Sequence, residues 1–116
     1  MSAGDWKEMY NAAANGNFEL VQYHIKNGIN PNYQHPEILS TALVASIVSG
    51  HTQIAIFLLE NGADPALLSE FDNMTPLQAA KLYQRQEILA ILEQRLPPES
   101  ILSKIKRFFI RSHRGN

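Results

Sequence analysis

Residues 41–65 read TALVASIVSGHTQIAIFLLENGADP, and the same pattern occurs twice more in the chain. Shifted by 34 positions, the stretch aligns forwards with residues 75–95, TPLQAAKLYQRQEILAILEQR, and backwards with residues 7–31, KEMYNAAANGNFELVQYHIKNGINP. Self-similarity at a fixed period is the signature of repeat proteins, in which each unit buries its apolar face against its neighbours. Three copies at one spacing therefore predict a stack of three units that takes up most of the 116 residues.

Each unit is predicted to contain two short helices joined by a tight turn. Apolar residues recur at helical spacing, and no segment alternates over five or more residues, so helices are expected and a sheet is not. Gly16 and Gly50 lie between paired helices, where the turn needs a positive φ. Asp5 and Glu8 have the spacing of a capping box, so we expect the first helix to start there. The predicted helices cover residues 6–14, 18–27, 41–49, 52–60, 75–83 and 86–95.

These units resemble the repeats of the ankyrin family. Residues 75–80, TPLQAA, are similar to the Thr-Pro-Leu-His-x-Ala opening of that repeat, and residues 49–65, SGHTQIAIFLLENGADP, are similar to its middle and end. Residues 72–75, DNMT, resemble its Asp-Gly-x-Thr turn, with Asn73 suited to a left-handed conformation. The resemblance implies an all-α ankyrin-repeat solenoid of three helix-turn-helix units over about residues 5–96. The implied repeats cover about residues 5–37, 38–71 and 72–98.

The sequence departs from the family pattern at several points. Residues 38–40, ILS, stand where the family turn has Asp-Gly-x, so we expect the first finger, as the loop between two units is called, to be rebuilt. Gln84 and Leu96 stand where the other units have glycine, so we expect the last helix to stop at Pro97 instead. His51 occupies the position at which ankyrin repeats carry a structural histidine.

Charge divides the chain into an acidic body and a basic tail. Residues 1–98 hold five Lys/Arg and ten Asp/Glu, whereas residues 99–116 hold five Lys/Arg and one Glu, so the net charge of −1 is a cancellation. Three interpretations of the tail are open: an amphipathic helix that caps the third repeat, one that binds an anionic membrane or an acidic partner, and a disordered segment. Its apolar face would hold Ile101, Leu102, Ile105, Phe108 and Phe109, and its basic surface Lys104, Lys106, Arg107 and Arg111.

The sequence contains no residue set that indicates chemistry. It has no cysteine, and none of its histidines (His24, His35, His51 and His113) has another three or four positions away, so we expect no metal site. Since no phosphate-binding loop, nucleophile elbow or suitable carboxylate pair occurs, we expect no catalytic residues, no cofactor and no small-molecule substrate. The acidic body argues against nucleic acid as a partner. With no signal peptide and no run of about 18 apolar residues, we expect a cytoplasmic monomer.

The resemblance implies that the protein binds another protein. In the ankyrin family the finger tips and the exposed face of the first helices contact partners, and apolar side chains such as Phe71 suit the core of an interface. We therefore expect a non-catalytic interaction module that acts as an effector, an inhibitor or a stabiliser. The alternative is a peripheral membrane adaptor anchored by residues 99–116. The candidate partner-binding residues are Gln34, His35, Glu37, Ile38, Leu39, Val48, Ser49, Glu70, Phe71, Asp72, Met74, Leu82 and Tyr83.

Overall fold

The computed structural model describes residues 3–97, and within that range it consists of helices and loops without a strand. The first helices of successive units pack on one another in one layer, and the second helices pack in another. This arrangement confirms the all-α solenoid of three helix pairs. The six helices are α1 (Ala3–Asn15), α2 (Phe18–Lys26), α3 (Ala42–Ser49), α4 (Thr52–Glu60), α5 (Pro76–Leu82) and α6 (Gln86–Arg95).

Local hydrogen bonds determine where α3 and α5 begin. Thr41 accepts a hydrogen bond from the Val44 backbone at 3.2 Å and begins α3. Thr75 and Gln78 form a complete capping box at α5, in which each side chain accepts from the other residue's backbone N–H. The prediction that α1 starts at Asp5 is wrong, because the helix already includes Ala3 and places Asp5 in its first turn. A carboxylate there is favoured by the helix dipole without being the cap.

The turns between paired helices keep one backbone conformation in all three units. Gly16 and Gly50 have φ of +86° and +81°, and Gln84 takes φ of +56° at the same position of the third unit. A residue with a Cβ pays about 1–2 kcal/mol for this left-handed conformation. The last helix ends as expected, since Leu96 is extended (φ −75°, ψ 145°) before Pro97.

The fingers are residues 27–41 (finger 1) and 61–75 (finger 2). Asn73 is left-handed as predicted, with φ of +51°, and Leu39 at the same position of finger 1 has φ of +56°. The expectation that finger 1 is rebuilt is therefore wrong at this turn, because a leucine takes the conformation that asparagine takes one unit later. Finger 2 closes with an isolated antiparallel bridge between Ser69 and Met74.

One apolar core runs through the stack. It begins with Trp6 and Met9 of α1, continues through the α3–α4 pair, and ends with Ile88 and Leu92 of α6. Trp6 is only 2% exposed because it packs under finger 1, with its ring stacked on Tyr10 at 5.3 Å. Met9 is buried in the same cluster, and Tyr10 packs against it. The basic tail, including Lys104, Lys106, Arg107 and Arg111, lies outside the described residues.

A candidate protein-binding surface

The two fingers are fixed to each other by side chains that pair with backbone. The Asn32 amide donates from Nδ2 to the Gly62 carbonyl at 2.9 Å and accepts from the Asp64 N–H at 2.7 Å. Gln34 repeats the pattern two residues on, donating to the Leu68 carbonyl and accepting from the Glu70 N–H, both at 3.0 Å. Because each amide makes two bonds to the next finger, the surface is held in place before any partner arrives.

Finger 2 is anchored to the start of α3 by a buried hydroxyl network. The Ser69 hydroxyl accepts from the Thr41 N–H at 2.9 Å and donates to Asp72 Oδ2 at 2.6 Å. The Ser40 hydroxyl donates to the same Asp72 oxygen at 3.0 Å. Asp72, a candidate binding residue, is thereby placed as a support of the finger, and one of its carboxylate oxygens is already engaged by two donors.

His35 is also placed inside the structure. Its ring is stacked near Trp6, with centroids 5.9 Å apart, and it meets the edge of Tyr33 at 6.2 Å. The Nδ1 atom accepts from the Glu37 N–H at 3.1 Å, and the carbonyl accepts from the N–H groups of Ile38 and Leu39. The histidine therefore shapes the finger tip from below.

The exposed apolar candidates form two groups. Phe71 is 76% exposed at the tip of finger 2, and its N–H donates to the Leu39 carbonyl at 2.8 Å, so the two tips are neighbours. Leu82 and Tyr83 are exposed at the end of α5, with Leu82 at 68%. Since α5 begins next to finger 2 and its seven residues span about 10 Å, the two groups lie at opposite ends of that helix.

The remaining candidates divide by burial. Ile38, Val48 and Met74 are half-buried and pack against the core, so only part of each is free for contact. Ser49 and Glu70 are exposed. The half-buried Gln34 has its amide committed to finger 2.

Glu37 forms an exposed ion pair that lies beside these tips. The Lys7 Nζ is 2.6 Å from Glu37 Oε2. The hydrogen bond and the charge of Lys7, together with the neighbouring His35, hold the pKa of Glu37 below its ordinary value of 4.5. Both side chains remain partly open to water, so the pair is exchangeable.

Two residues that follow the turns between paired helices link successive repeats, a role that the sequence indicated only for the histidine. His51 Nε2 lies 3.2 Å from the Ala14 carbonyl at the end of α1. Arg85, one period later, donates from Nε to the Ile47 carbonyl at 2.9 Å and from Nη2 to the Val48 carbonyl at 2.8 Å. The 34-residue period already aligned these positions, but only the structure shows that both side chains reach back to the preceding repeat.

Other polar groups do not converge on a reaction centre. A cleft of about 390 Å³ lies at the end of α2, and the nearby His24 Nε2 is 3.3 Å from Glu8 Oε1. Among residues 3–97 no group of three or more His, Asp or Glu is placed to hold a metal ion, and no helix there has the length and apolarity to cross a bilayer. The cleft is lined by Asp5, Tyr23, His24, Asn27, Gly28 and Ile29.

The family model for ankyrin repeats in three copies matches residues 9–97. The ankyrin repeat and KH domain-containing protein mask-1 of Caenorhabditis elegans is 39% identical over 56 residues, which are 48% of this chain and 2% of that protein. The palmitoyltransferase ZDHHC13 of Mus musculus is 39% identical over 57 residues, or 49% of this chain and 9% of that protein. The chain thus spans a small fraction of these relatives.

A solved ankyrin repeat domain from Acinetobacter baumannii superposes with a TM-score of 0.66 at 35% identity, covering 72% of this chain and 44% of that one. Ankyrin repeat domains are generally protein–protein interaction modules and are typically non-enzymatic. The three matched repeats and the stacked helix pairs lead to one conclusion: this chain belongs to the ankyrin repeat family.

Proposed function

We propose that the chain binds a protein partner through its finger tips and the exposed end of α5. Phe71 and Leu39 form one contact point, and Leu82 and Tyr83 form the other. The observation that carries the proposal is the position of Phe71, whose ring is 76% exposed on a backbone held by the Leu39 carbonyl. An exposed aromatic ring on a rigid support is the kind of residue that contributes most to interface affinity.

The fixed fingers support this assignment. Ordering a loop on binding costs free energy, and the paired amides of Asn32 and Gln34 remove that cost in advance. The ion pair of Lys7 and Glu37 would lie at the edge of the contact, where a cation of the partner could replace Lys7. A rigid surface of this kind suits an inhibitor or a stabiliser of one partner, and we propose that role.

The test begins with affinity capture from the source organism, which identifies a binder for purification. Phe71→Ala and Tyr83→Ala should then each weaken binding of the purified partner about 10- to 100-fold, as measured by calorimetry. Circular dichroism should show unchanged helicity, because neither ring belongs to the core. Tyr23→Ala is the matched control, since Tyr23 is an aromatic residue on α2 whose exposure of 60% lies between those of Tyr83 and Phe71. Unchanged affinity in both variants, or an equal loss in the control, would refute the assignment.

A further inference from the structure

The outer side of the third repeat, which we call the end face, can be located by comparing equivalent positions in repeats 2 and 3. A residue of repeat 2 that is buried by repeat 3 has its counterpart 34 positions later on the side of repeat 3 that no described repeat covers. A position that is buried in repeat 2 and exposed in repeat 3 therefore belongs to the end face. Each of these pairs joins a buried apolar residue with an exposed polar one. The pairs are Val44 and Gln78, Ile47 and Lys81, and Leu59 and Glu93.

Other positions of the end face stay apolar. Leu43 and Ala55 are buried in repeat 2, whereas their counterparts Leu77 and Leu89 are partly open. Leu68 is exposed at the position of Gln34, whose amide pairs with the next finger. Three leucines on finger 2, α5 and α6 therefore occupy positions that the fold covers one repeat earlier, and each would gain free energy from burial.

The mixed character of the end face argues against a fourth repeat in that place. A repeat stacked in the same register would bury Lys81 and Glu93 at the positions of Ile47 and Leu59, where each charge would need a partner. An amphipathic segment could instead cover the leucines and leave the charged side chains at its border.

The described chain ends beside this face. Leu96 turns the backbone out of α6, and Pro97 is the counterpart of Ala63 in finger 2. The described residues therefore end just beyond α6, the helix that carries Leu89 and Glu93 of the end face.

We propose that residues 99–116 cover the end face, with the apolar side chains of that segment on Leu68, Leu77 and Leu89. Eighteen residues in helical form span about 27 Å, which exceeds the length of α5 or α6. Charge favours the same contact, since residues 1–98 hold five more acidic than basic groups and residues 99–116 hold four more basic than acidic ones. Glu93 is the exposed carboxylate among the end-face positions compared above, and it would offer a partner for a basic side chain of the tail.

The test uses the full chain with a spin label. The native sequence has no cysteine, so Ser103→Cys gives a single labelled site in the tail. We expect the nuclear magnetic resonance signals of Leu68, Leu77 and Leu89 to be broadened, and those of repeat 1, such as Leu20, to stay unchanged. A label at Asn11→Cys on the exposed side of α1 is the control, and it should broaden repeat 1 most strongly and leave Leu68 and Leu89 less affected than the tail label does.

A second measurement uses Leu89→Gln and Phe108→Gln, alone and combined. If the two side chains are in contact, the double variant should lower Tm by clearly less than the sum of the two single shifts. Additive shifts, absent broadening or broadening confined to the finger tips would each overturn the proposal. So would broadening that occurs only between mixed labelled and unlabelled chains, which indicates a second copy. If the broadening is present in solution and is lost only when anionic vesicles are added, the proposal holds. If the chain binds vesicles but shows no broadening before they are added, the proposal is refuted.

Discussion

The contact between repeats 1 and 2 (the first junction) and that between repeats 2 and 3 (the second junction) differ in the side chain at one equivalent position. Between repeats 1 and 2, the His51 ring lies on Gly16 and reaches a single carbonyl, that of Ala14. Between repeats 2 and 3, the Arg85 guanidinium lies on Gly50 and binds two carbonyls at the end of α3. The fork of the guanidinium binds two helix-end carbonyls, of which that of Ile47 also accepts from the Gly50 N–H at 3.1 Å. It also places a cation at the negative end of the helix dipole.

The junctions also differ in what surrounds these side chains. The first junction includes Trp6 and Met9 in a deep apolar contact and has the amide bridges of Asn32 and Gln34. The second lacks the amides, because Ala66 and Leu68 occupy those positions. The stability of a repeat stack is close to a sum of unit and junction terms, so repeat 3 depends on Arg85 more than repeat 2 depends on His51.

The largest expected effect comes from filling the space beneath the two junction side chains. In Gly16→Ala the new methyl would lie 2.7 Å from His51 Cε1, whereas in Gly50→Ala it would lie 3.2 Å from Arg85 Cζ. A ring within a packed turn yields less than a flexible guanidinium, so we expect a loss of about 3 kcal/mol for the first variant and about 1–2 kcal/mol for the second. Urea unfolding measures both.

Gly62→Ala controls for the backbone term, because φ there is +100° and no atom lies within 4 Å of the added methyl. If Gly16→Ala costs no more than this control, the His51 ring is free to move, and the first junction is looser than its geometry indicates.

The next effect in size separates the two junction residues themselves. Arg85→Ala removes two charge-assisted hydrogen bonds and should cost about 2 kcal/mol, while His51→Ala should cost about 1 kcal/mol. Because Arg85 joins repeat 3 to the end of α3, its loss should loosen the outermost repeat first, and hydrogen exchange should accelerate in α5 and α6 before α3 and α4. Arg85→Lys is the conservative comparison and should recover less than half of the loss, since ammonium cannot bind the two carbonyls as a fork. Equal costs at the two positions would contradict the unequal junctions.

A smaller effect is expected at the finger bridge that the second junction lacks. Gln34→Ala removes two hydrogen bonds to finger 2 and should cost about 1–2 kcal/mol. Thermal unfolding measures the loss, and Gln53→Ala is the control, because it truncates an exposed glutamine on α4. If the two variants unfold at the same temperature, the bridge forms without stabilising the fold.

Much of the fold could be predicted because the 34-residue period determines where the helices and turns recur. The period placed the helices to within a few residues, and Thr75 with Gln78 and Asn73 behaved as their residue types require. Which finger side chains are buried and which are exposed could not be predicted from the period. His35 is buried by Trp6, about 30 positions away in the sequence, and Asp72 is engaged by Ser40 of the other finger. Those contacts depend on how two fingers meet, which no local pattern encodes.

The smallest expected effect concerns the position at which the fingers differ most in chemistry, with Glu37 on finger 1 and Phe71 on finger 2. The pKa of Glu37 is lowered chiefly by its hydrogen bond to Lys7, so the pair stabilises the fold above pH 4.5 and loses that contribution as the pH falls through the lower folded value. Both side chains are exposed, so this contribution is small and Glu37→Gln should lower the unfolding midpoint at pH 7 only slightly. Titration of the Glu37 carboxyl by nuclear magnetic resonance should show its pKa rising toward the ordinary value in Lys7→Ala. A pKa that does not move would mean that Lys7 does not hold the carboxylate, and Glu37 would then be free for a partner from the start.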